Sequence, residues 1–317
     1  MNVAIIGSGA AGELYAITAT GSGIARRAGR TVVVCSDTVA AKAVAVAERF
    51  EARSSTEPLS VIHDDDVDTV VITSPLPSRV EYILAAIEAG KHVFCETPLC
   101  QTADEAARIF EAAQSADAKV FVGNTTRYSR PYQTLVAQIE SGAIGTPGFA
   151  KTYRGDVLAP GKDIIFDLLI HDFDWLASIL GPVETIFCQR LSVQKDPSID
   201  CAMATLTFSS GALAQCIGSR TRSSGFRRTV EIVGDAGIAR YDSDETPVHV
   251  TRYSDGVVDA SSPLLGDPRQ QEWNDFLAYV ENDTEPKTTL DDAVEAVRMA
   301  GAALRSIETS APQRLDD

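Results

Sequence analysis

Histidine, methionine and tryptophan are scarce in this 317-residue chain, at four, three and two residues, and the six cysteines (35, 95, 100, 188, 201 and 216) form no CxxC pair. Zinc-type ligand spacing is missing, so no metal site is expected. Most of the cysteines fall in apolar, strand-like runs and read as buried reduced thiols. Basic residues are also few, 28 against 44 acidic, and the resulting formal charge of −16 argues against nucleic acid and anionic membrane as partners. No uncharged apolar run approaches the ~20 residues of a membrane-spanning helix. The opening Met1-Asn2-Val3-Ala4-Ile5-Ile6-Gly7 lacks the basic region and apolar stretch of a secretory signal. A cytoplasmic protein is the default expectation.

What is present suits a packed globular protein. Hydrophobic residues make up 44% and charged residues 23%, enough to fill an interior, and the length favours two domains over one. In the first third, short β-rich runs at 3–6, 31–35, 69–73, 92–95 and 119–122 alternate with alanine-rich helical stretches at 39–50, 79–89 and 103–115. Thr102 and Glu105 are spaced as a capping box. Strand, helix, strand in series predicts parallel pairing through right-handed crossovers, hence a doubly wound sheet. Beyond residue 150 the texture changes to alternating runs at 185–193, 202–208, 212–218, 229–233, 238–241 and 248–253, separated by turn signals, which predict an antiparallel sheet. The segment 254–267 reads as a polar surface loop, and helices near 270–280 and 291–306 close the chain. The fold class is α/β, with domains at 1–123 and 124–317.

Gly7-Ser8-Gly9-Ala10-Ala11-Gly12 fits GxGxxG directly after a strand and at the opening of a helix. The first glycine permits the tight turn, the second lets backbone amides approach a pyrophosphate, and the third lets helix and strand pack closely. The acidic residue that would take the adenosine ribose hydroxyls stands about 20 residues on in such units, and Asp37, 25 residues after Gly12, is the candidate. Its carboxylate favours NAD over NADP. Ser36 beside it could accept the extra phosphate of NADP, and Asp37 could equally be a helix cap.

A longer set of motifs then resembles one family over nearly the whole chain. It comprises the glycine loop, the run from Asp66 to Pro75, the run from Ala85 through Glu96-Thr97-Pro98 to Leu99, Glu140–Gly145, Glu231–Gly237, and above all Asp167-Leu168-Leu169-Ile170-His171-Asp172-Phe173-Asp174. These are similar to the glucose-fructose oxidoreductase/inositol dehydrogenase/rhizopine-catabolism (Gfo/Idh/MocA) family. The resemblance implies an N-terminal Rossmann domain and a C-terminal α+β domain with a large, mostly antiparallel open sheet that binds substrate. It also implies a homodimer or homotetramer formed through that sheet. The implied cofactor-binding set is Gly7, Ser8, Gly9, Ala10, Ala11, Gly12, Ser36, Asp37, Ser74, Pro75, Leu76, Arg79, Glu96 and Asn124. The implied substrate-facing set is Thr97, Arg127, Tyr153, Asp167 and His171.

On an α-helix the spacing of Asp167, His171 and Asp174 places them on one face, where flanking carboxylates would stabilise an imidazolium; a structural cap or buried ion pair is the other reading. His171 is the expected acid/base, oriented by Asp167. The family's Glu-Lys-Pro is here Glu96-Thr97-Pro98, so the cation beside the reacting hydroxyl is replaced by a threonine hydroxyl. Lys162, Lys151, Arg79 and Arg127 are the candidate replacements, and Tyr153 shares an alternating strand face with Lys151. The reading that follows is an NAD(P)-dependent oxidoreductase that acts on a sugar, a cyclitol or a related carbonyl or imine compound. A sensor without turnover and a redox-neutral NAD-dependent enzyme are the alternatives that the missing lysine leaves open.

Overall fold

The computed structural model describes residues 1–20, 31–157, 163–191, 199–221, 225–254, 256–260 and 266–315. Lys162 and the 21–30 segment of the first connection lie outside them. The chain forms two compact units: Met1–Thr125 with Gly266–Val294, and Thr126–Leu265 with Glu295–Asp317. This differs from the single cut expected between 123 and 124, because a helix from the end of the sequence packs into the first unit.

The first unit is built on a parallel sheet in the order β3-β2-β1-β4-β5-β6. Its strands are β1 Asn2–Ile6, β2 Thr31–Ser36, β3 Arg53–Ser55, β4 Thr69–Ile72, β5 His92–Glu96 and β6 Val120–Gly123. Apart from the short polar edge strand β3, their centres are continuous apolar runs, and Val3 to Ile6, Val70 to Ile72 and Val93 to Cys95 are fully buried, as strands covered on both faces must be. The crossovers carry α1 Ala10–Thr20, α2 Ala40–Phe50, α3 Pro58–Ile62, α4 Leu76–Glu88 and α5 Ala103–Gln114. Thr102 and Glu105 form the capping box at the start of α5, each satisfying a backbone N–H that the helix leaves open. The late helix Pro268–Asn282 (α9) brings Trp273 and Phe276 against Phe94, with ring centroids 5.5 Å apart in each case. All three rings are fully buried.

The second unit begins within α6 Thr125–Tyr128, continues with α7 Arg130–Glu140 and centres on a nine-stranded sheet in the order β14-β13-β12-β11-β7-β10-β9-β8-β15. The strands are β7 Pro147–Asp156, β8 Val183–Arg190, β9 Ile199–Phe208, β10 Leu213–Thr221, β11 Arg227–Gly234, β12 Gly237–Asp242, β13 Glu245–Arg252, β14 Gly256–Ala260 and β15 Gln313–Arg314. Pairing is antiparallel except between β7 and β10. Strand β14 corrects the expectation of a loop over 254–267: residues 256–260 pair with β13 in regular register, and 261–265 fall outside the described residues. One face of the sheet is buried by alternation along the strands, with Ala150, Thr152 and Arg154 inward on β7 and Val230 and Ile232 inward on β11. The helix Ile170–Leu180 (α8) packs on β7 and β10, and Leu290–Thr309 (α10) contributes its larger part to this unit.

Among the described residues no helix is long and apolar enough to cross a membrane, and no group of three His, Cys, Asp or Glu side chains is placed to hold a metal ion. The six cysteines are free thiols, five of them buried.

Candidate functional site

In the first unit the glycine turn closes at the carboxyl end of β1, where ligands sit in parallel sheets of this order. Gly7 adopts φ +98°, and a Cβ there would stand 2.7 Å from the Ser74 nitrogen. At Gly12 a Cβ would stand 2.0 Å from the Gly7 oxygen. The fold itself therefore demands both glycines. Gly9 is different: a Cβ there would meet nothing within 4 Å, and Gly9 and Ala10 are exposed at the N-terminus of α1. Its missing side chain has no packing reason, and it leaves backbone amides and a positive helix end open to an anionic ligand. Glycine turn, helix end and acidic residue together fit a dinucleotide.

Asp37 follows β2, and its carboxylate accepts from the Ser8 amide at 3.0 Å and the Val39 amide at 2.9 Å. It ties the glycine turn to the start of α2. Ser36 does not fill the phosphate-accepting role raised from sequence. As the last residue of β2 it points inward and is fully buried, and its carbonyl accepts from the Gly7 amide at 2.8 Å and the Ser8 hydroxyl at 3.2 Å.

Ser74 is buried, Pro75 precedes α4 and Leu76 opens it. Arg79 needs correction too, both as a cofactor contact and as a replacement for the missing lysine. It is buried in α4, and its guanidinium donates to the carbonyls of Ser74 (2.7 Å), Glu96 (2.5 Å) and Pro98. It fastens the ends of β4 and β5 to each other. Thr97, joined to Pro98 by a cis peptide, donates its amide to the Gly123 carbonyl at 3.2 Å. Its side chain is half-buried.

Sequence reasoning missed a buried cluster beside this strand end. The Tyr15 hydroxyl of α1 lies 2.7 Å from Glu96 Oε2 and 2.8 Å from Glu272 Oε2 of α9. A phenol has one hydrogen, so it serves one carboxylate as donor and the other must bring its own proton. Burial, then the neighbouring Glu96 charge, pushes Glu272 well above the usual carboxyl range; burial raises Glu96 as well. Of the two, Glu272 is pushed further toward the protonated form. Gly123 makes room for it, since a Cβ there would stand 3.1 Å from Glu272 Oε1. Asn124 follows, buried. Glu272 falls on the same helical stripe as Trp273, Phe276 and Leu277, a pattern that marks it as an inward residue in an otherwise apolar row.

In the second unit, the segment before α8 is one turn of π-helix, Ile165–Leu169, closed by Ile170 N donating to the Ile165 carbonyl. This wider turn breaks the α-helical phase that would place Asp167, His171 and Asp174 on one face. Each acid meets an arginine. Asp167 pairs with Arg220 of β10, and Asp174 takes a bidentate pair from Arg127 at 2.6 and 2.7 Å. Asp172, fully buried, accepts from Arg154 Nε at 2.9 Å, and Arg154 also reaches the Thr126 hydroxyl at 3.2 Å.

The expectation that carboxylates would stabilise a His171 imidazolium meets a shift of the opposite sign. His171 is lowered well below the ordinary histidine value of 6.5, by burial first and then by the charges of Arg154 and Arg228. The imidazole is neutral at neutral pH. Tyr153 and Lys151 alternate onto the opposite face of β7 from Thr152 and Arg154, so neither stands with His171. Arg154, Asp172, Arg220 and Arg228 were all missed; Arg154 alone had a signal, as the inward neighbour of Thr152 in the β7 alternation.

Comparison with known proteins agrees with both halves. Residues 1–124 match a family model described as the oxidoreductase family, NAD-binding Rossmann fold, and residues 132–240 match the GFO/IDH/MocA C-terminal domain. An inositol 2-dehydrogenase of Acidothermus cellulolyticus is 32% identical, over 77% of this chain and 74% of that protein. The myo-inositol 2-dehydrogenase of Thermotoga maritima is 29% identical, over 82% and 84%. The crystal structure of a probable dehydrogenase from Thermotoga maritima superposes with a TM-score of 0.85 at 26% identity, covering 100% of this chain and 99% of that one. The chain belongs to the Gfo/Idh/MocA oxidoreductase family.

Proposed function

We propose that the protein is an NAD-dependent dehydrogenase that oxidises a secondary alcohol of a small polyhydroxylated substrate, with His171 as the base. The observation that carries this reading is the glycine turn, where two glycines are required by packing and the third, Gly9, faces open space. The family relatives named as inositol dehydrogenases support the CH–OH substrate class.

The turn from Gly7 to Gly12 would hold the pyrophosphate, and the Asp37 carboxylate would take the ribose hydroxyls. When bound, NAD+ supplies a two-electron hydride acceptor. Loss of hydride from the carbinol carbon leaves a carbonyl once the hydroxyl proton departs. His171, held neutral by burial and the two arginines, takes that proton at an imidazole nitrogen. Thr97 supplies a hydroxyl where the family pattern carries a lysine. A neutral histidine is ready to accept a proton at neutral pH and is a poor donor there, so the arrangement favours alcohol oxidation over carbonyl reduction.

The test is a panel of cyclitols, aldoses and polyol acids with NAD+ and with NADP+, followed through the absorbance of reduced nicotinamide. The expected result is reduction of NAD+ by at least one compound and little or none of NADP+. Binding of NAD+ without reduction by any member of the panel would overturn the dehydrogenase reading and leave a sensor.

A further inference from the structure

Among the described residues of the second unit, Arg228 is a half-buried cation with no acid paired to it. Arg228 of β11 and Arg154 of β7 are direct register partners on neighbouring antiparallel strands, and both point to the face covered by α8. Like charges placed opposite each other across a sheet repel. Arg154 is compensated, because Asp172 of α8 accepts from it. Arg228 is not: among the described residues its side chain has no ion pair or hydrogen bond, and its guanidinium lies over the Phe226 ring at 4.3 Å.

Among the described residues, the titratable groups that act on Arg228 through their charges are Arg154 on β7, Tyr132 on α7, Asp172 on α8 and Tyr241 on β12, and His171 on α8 feels the Arg228 charge in turn. Asp172 is the acid among them, so the group of Arg154, Arg228 and Asp172 carries one net positive charge. Burial and the Arg154 charge both work against the Arg228 cation, yet a guanidinium stays protonated in proteins. The side chain is half-buried, as is that of His171, so each keeps an edge open to a ligand. A desolvated, uncompensated guanidinium is costly to the fold and suits an anion that arrives from outside.

We propose that Arg228 is a specificity-determining residue that binds a carboxylate on the substrate, so that the compound oxidised is an acidic sugar or polyol acid. The proposal rests on the dehydrogenase reading for the word substrate, and on the Arg154–Arg228–Asp172 geometry for the anion. One net charge matches a carboxylate, whereas a phosphate monoester dianion would leave a negative charge uncompensated.

The experiment titrates the NADH-loaded protein, in which these alcohols form dead-end complexes without turnover, with D-gluconate, D-glucitol and D-glucitol 6-phosphate by calorimetry. Wild type is expected to bind D-gluconate about tenfold or more tightly than D-glucitol and no less tightly than the phosphate. Arg228→Gln brings D-gluconate and D-glucitol to within about twofold of each other, and Arg228→Lys, which keeps the charge, retains part of the preference. Equal affinity for D-gluconate and D-glucitol in wild type, including no measurable binding of either, overturns the proposal. So does a preference that survives in Arg228→Gln. Tighter binding of the phosphate overturns the carboxylate assignment. The two readings fail separately: a charge preference lost in Arg228→Gln without NADH formation from any polyol acid removes the dehydrogenase reading alone. NADH formation from neutral polyols with no preference for D-gluconate removes the carboxylate proposal alone.

Discussion

At the residue scale, the role proposed for His171 turns on its protonation state. Because its folded value lies below 6.5, kcat/KM for oxidation is expected to be flat above that pH and to fall only when acid reaches the depressed value. A profile that still rises through neutral pH would contradict the neutral imidazole. His171→Ala should lower kcat by about 10²- to 10⁴-fold with NAD+ affinity unchanged in a calorimetric titration. The same group bears on stability. Between its folded value and 6.5 the unfolded chain binds a proton that the folded chain does not, so the His171 contribution is complete above 6.5 and is lost as pH falls.

Glu272 has the opposite sign. Its folded value is raised above 4.5, so its contribution is complete below 4.5 and is lost as pH rises through the folded value. Tyr15→Phe removes the hydroxyl that joins Glu96 to Glu272 and should cost about 1–3 kcal/mol in a urea titration near pH 5. Glu272→Gln should flatten the decline in stability that this group is expected to cause as pH rises above 4.5. An unchanged slope would place the buried proton elsewhere.

At the element scale, strand ends carry the first unit's candidate functional groups, and their anchoring is local to the sheet. Arg79 donates to carbonyls at the ends of β4 and β5. Arg79→Met leaves those acceptors buried and unpaired, for an expected loss of about 3 kcal/mol, checked by urea midpoint. A change below about 0.5 kcal/mol would mean that water replaces the guanidinium and that Arg79 is no clamp.

The glycine turn and the strand-helix alternation were legible in the sequence because they are set by neighbours a few residues apart. The partners of the α8 acids were not. Arg220 meets Asp167 across 53 residues and Arg127 meets Asp174 across 47, and such pairings depend on strand order that no local pattern encodes. The carboxylates near His171 thus looked available to it, when each answers an arginine brought in by β7, β10 or α6. The burial of Ser36 and the opposite facing of Tyr153 follow from alternation along β2 and β7, but only once the strand boundaries are known. Arg228 gave no signal at all, since its meaning comes from standing opposite Arg154.

At the scale of the whole molecule, the first unit is completed by a piece of chain from beyond residue 265. Phe94 and Phe121 depend on Trp273 and Phe276 for cover, at centroid distances of 5.5 to 5.8 Å. Residues 1–125 produced alone should lack a cooperative thermal transition and bind an apolar dye, and fusing residues 266–294 to them should restore the transition. A fragment 1–125 that unfolds cooperatively would contradict this assignment of α9.

The function rests on a dinucleotide seated in the glycine turn, and Gly9 isolates that claim because packing does not need it. Calorimetric titration of NAD+ into wild type and Gly9→Val is the direct measurement. Wild type is expected to bind, and the variant to lose about tenfold or more in affinity, with folding stability changed by no more than about 0.5 kcal/mol. NAD+ binding undiminished in Gly9→Val, or absent from wild type, would contradict it.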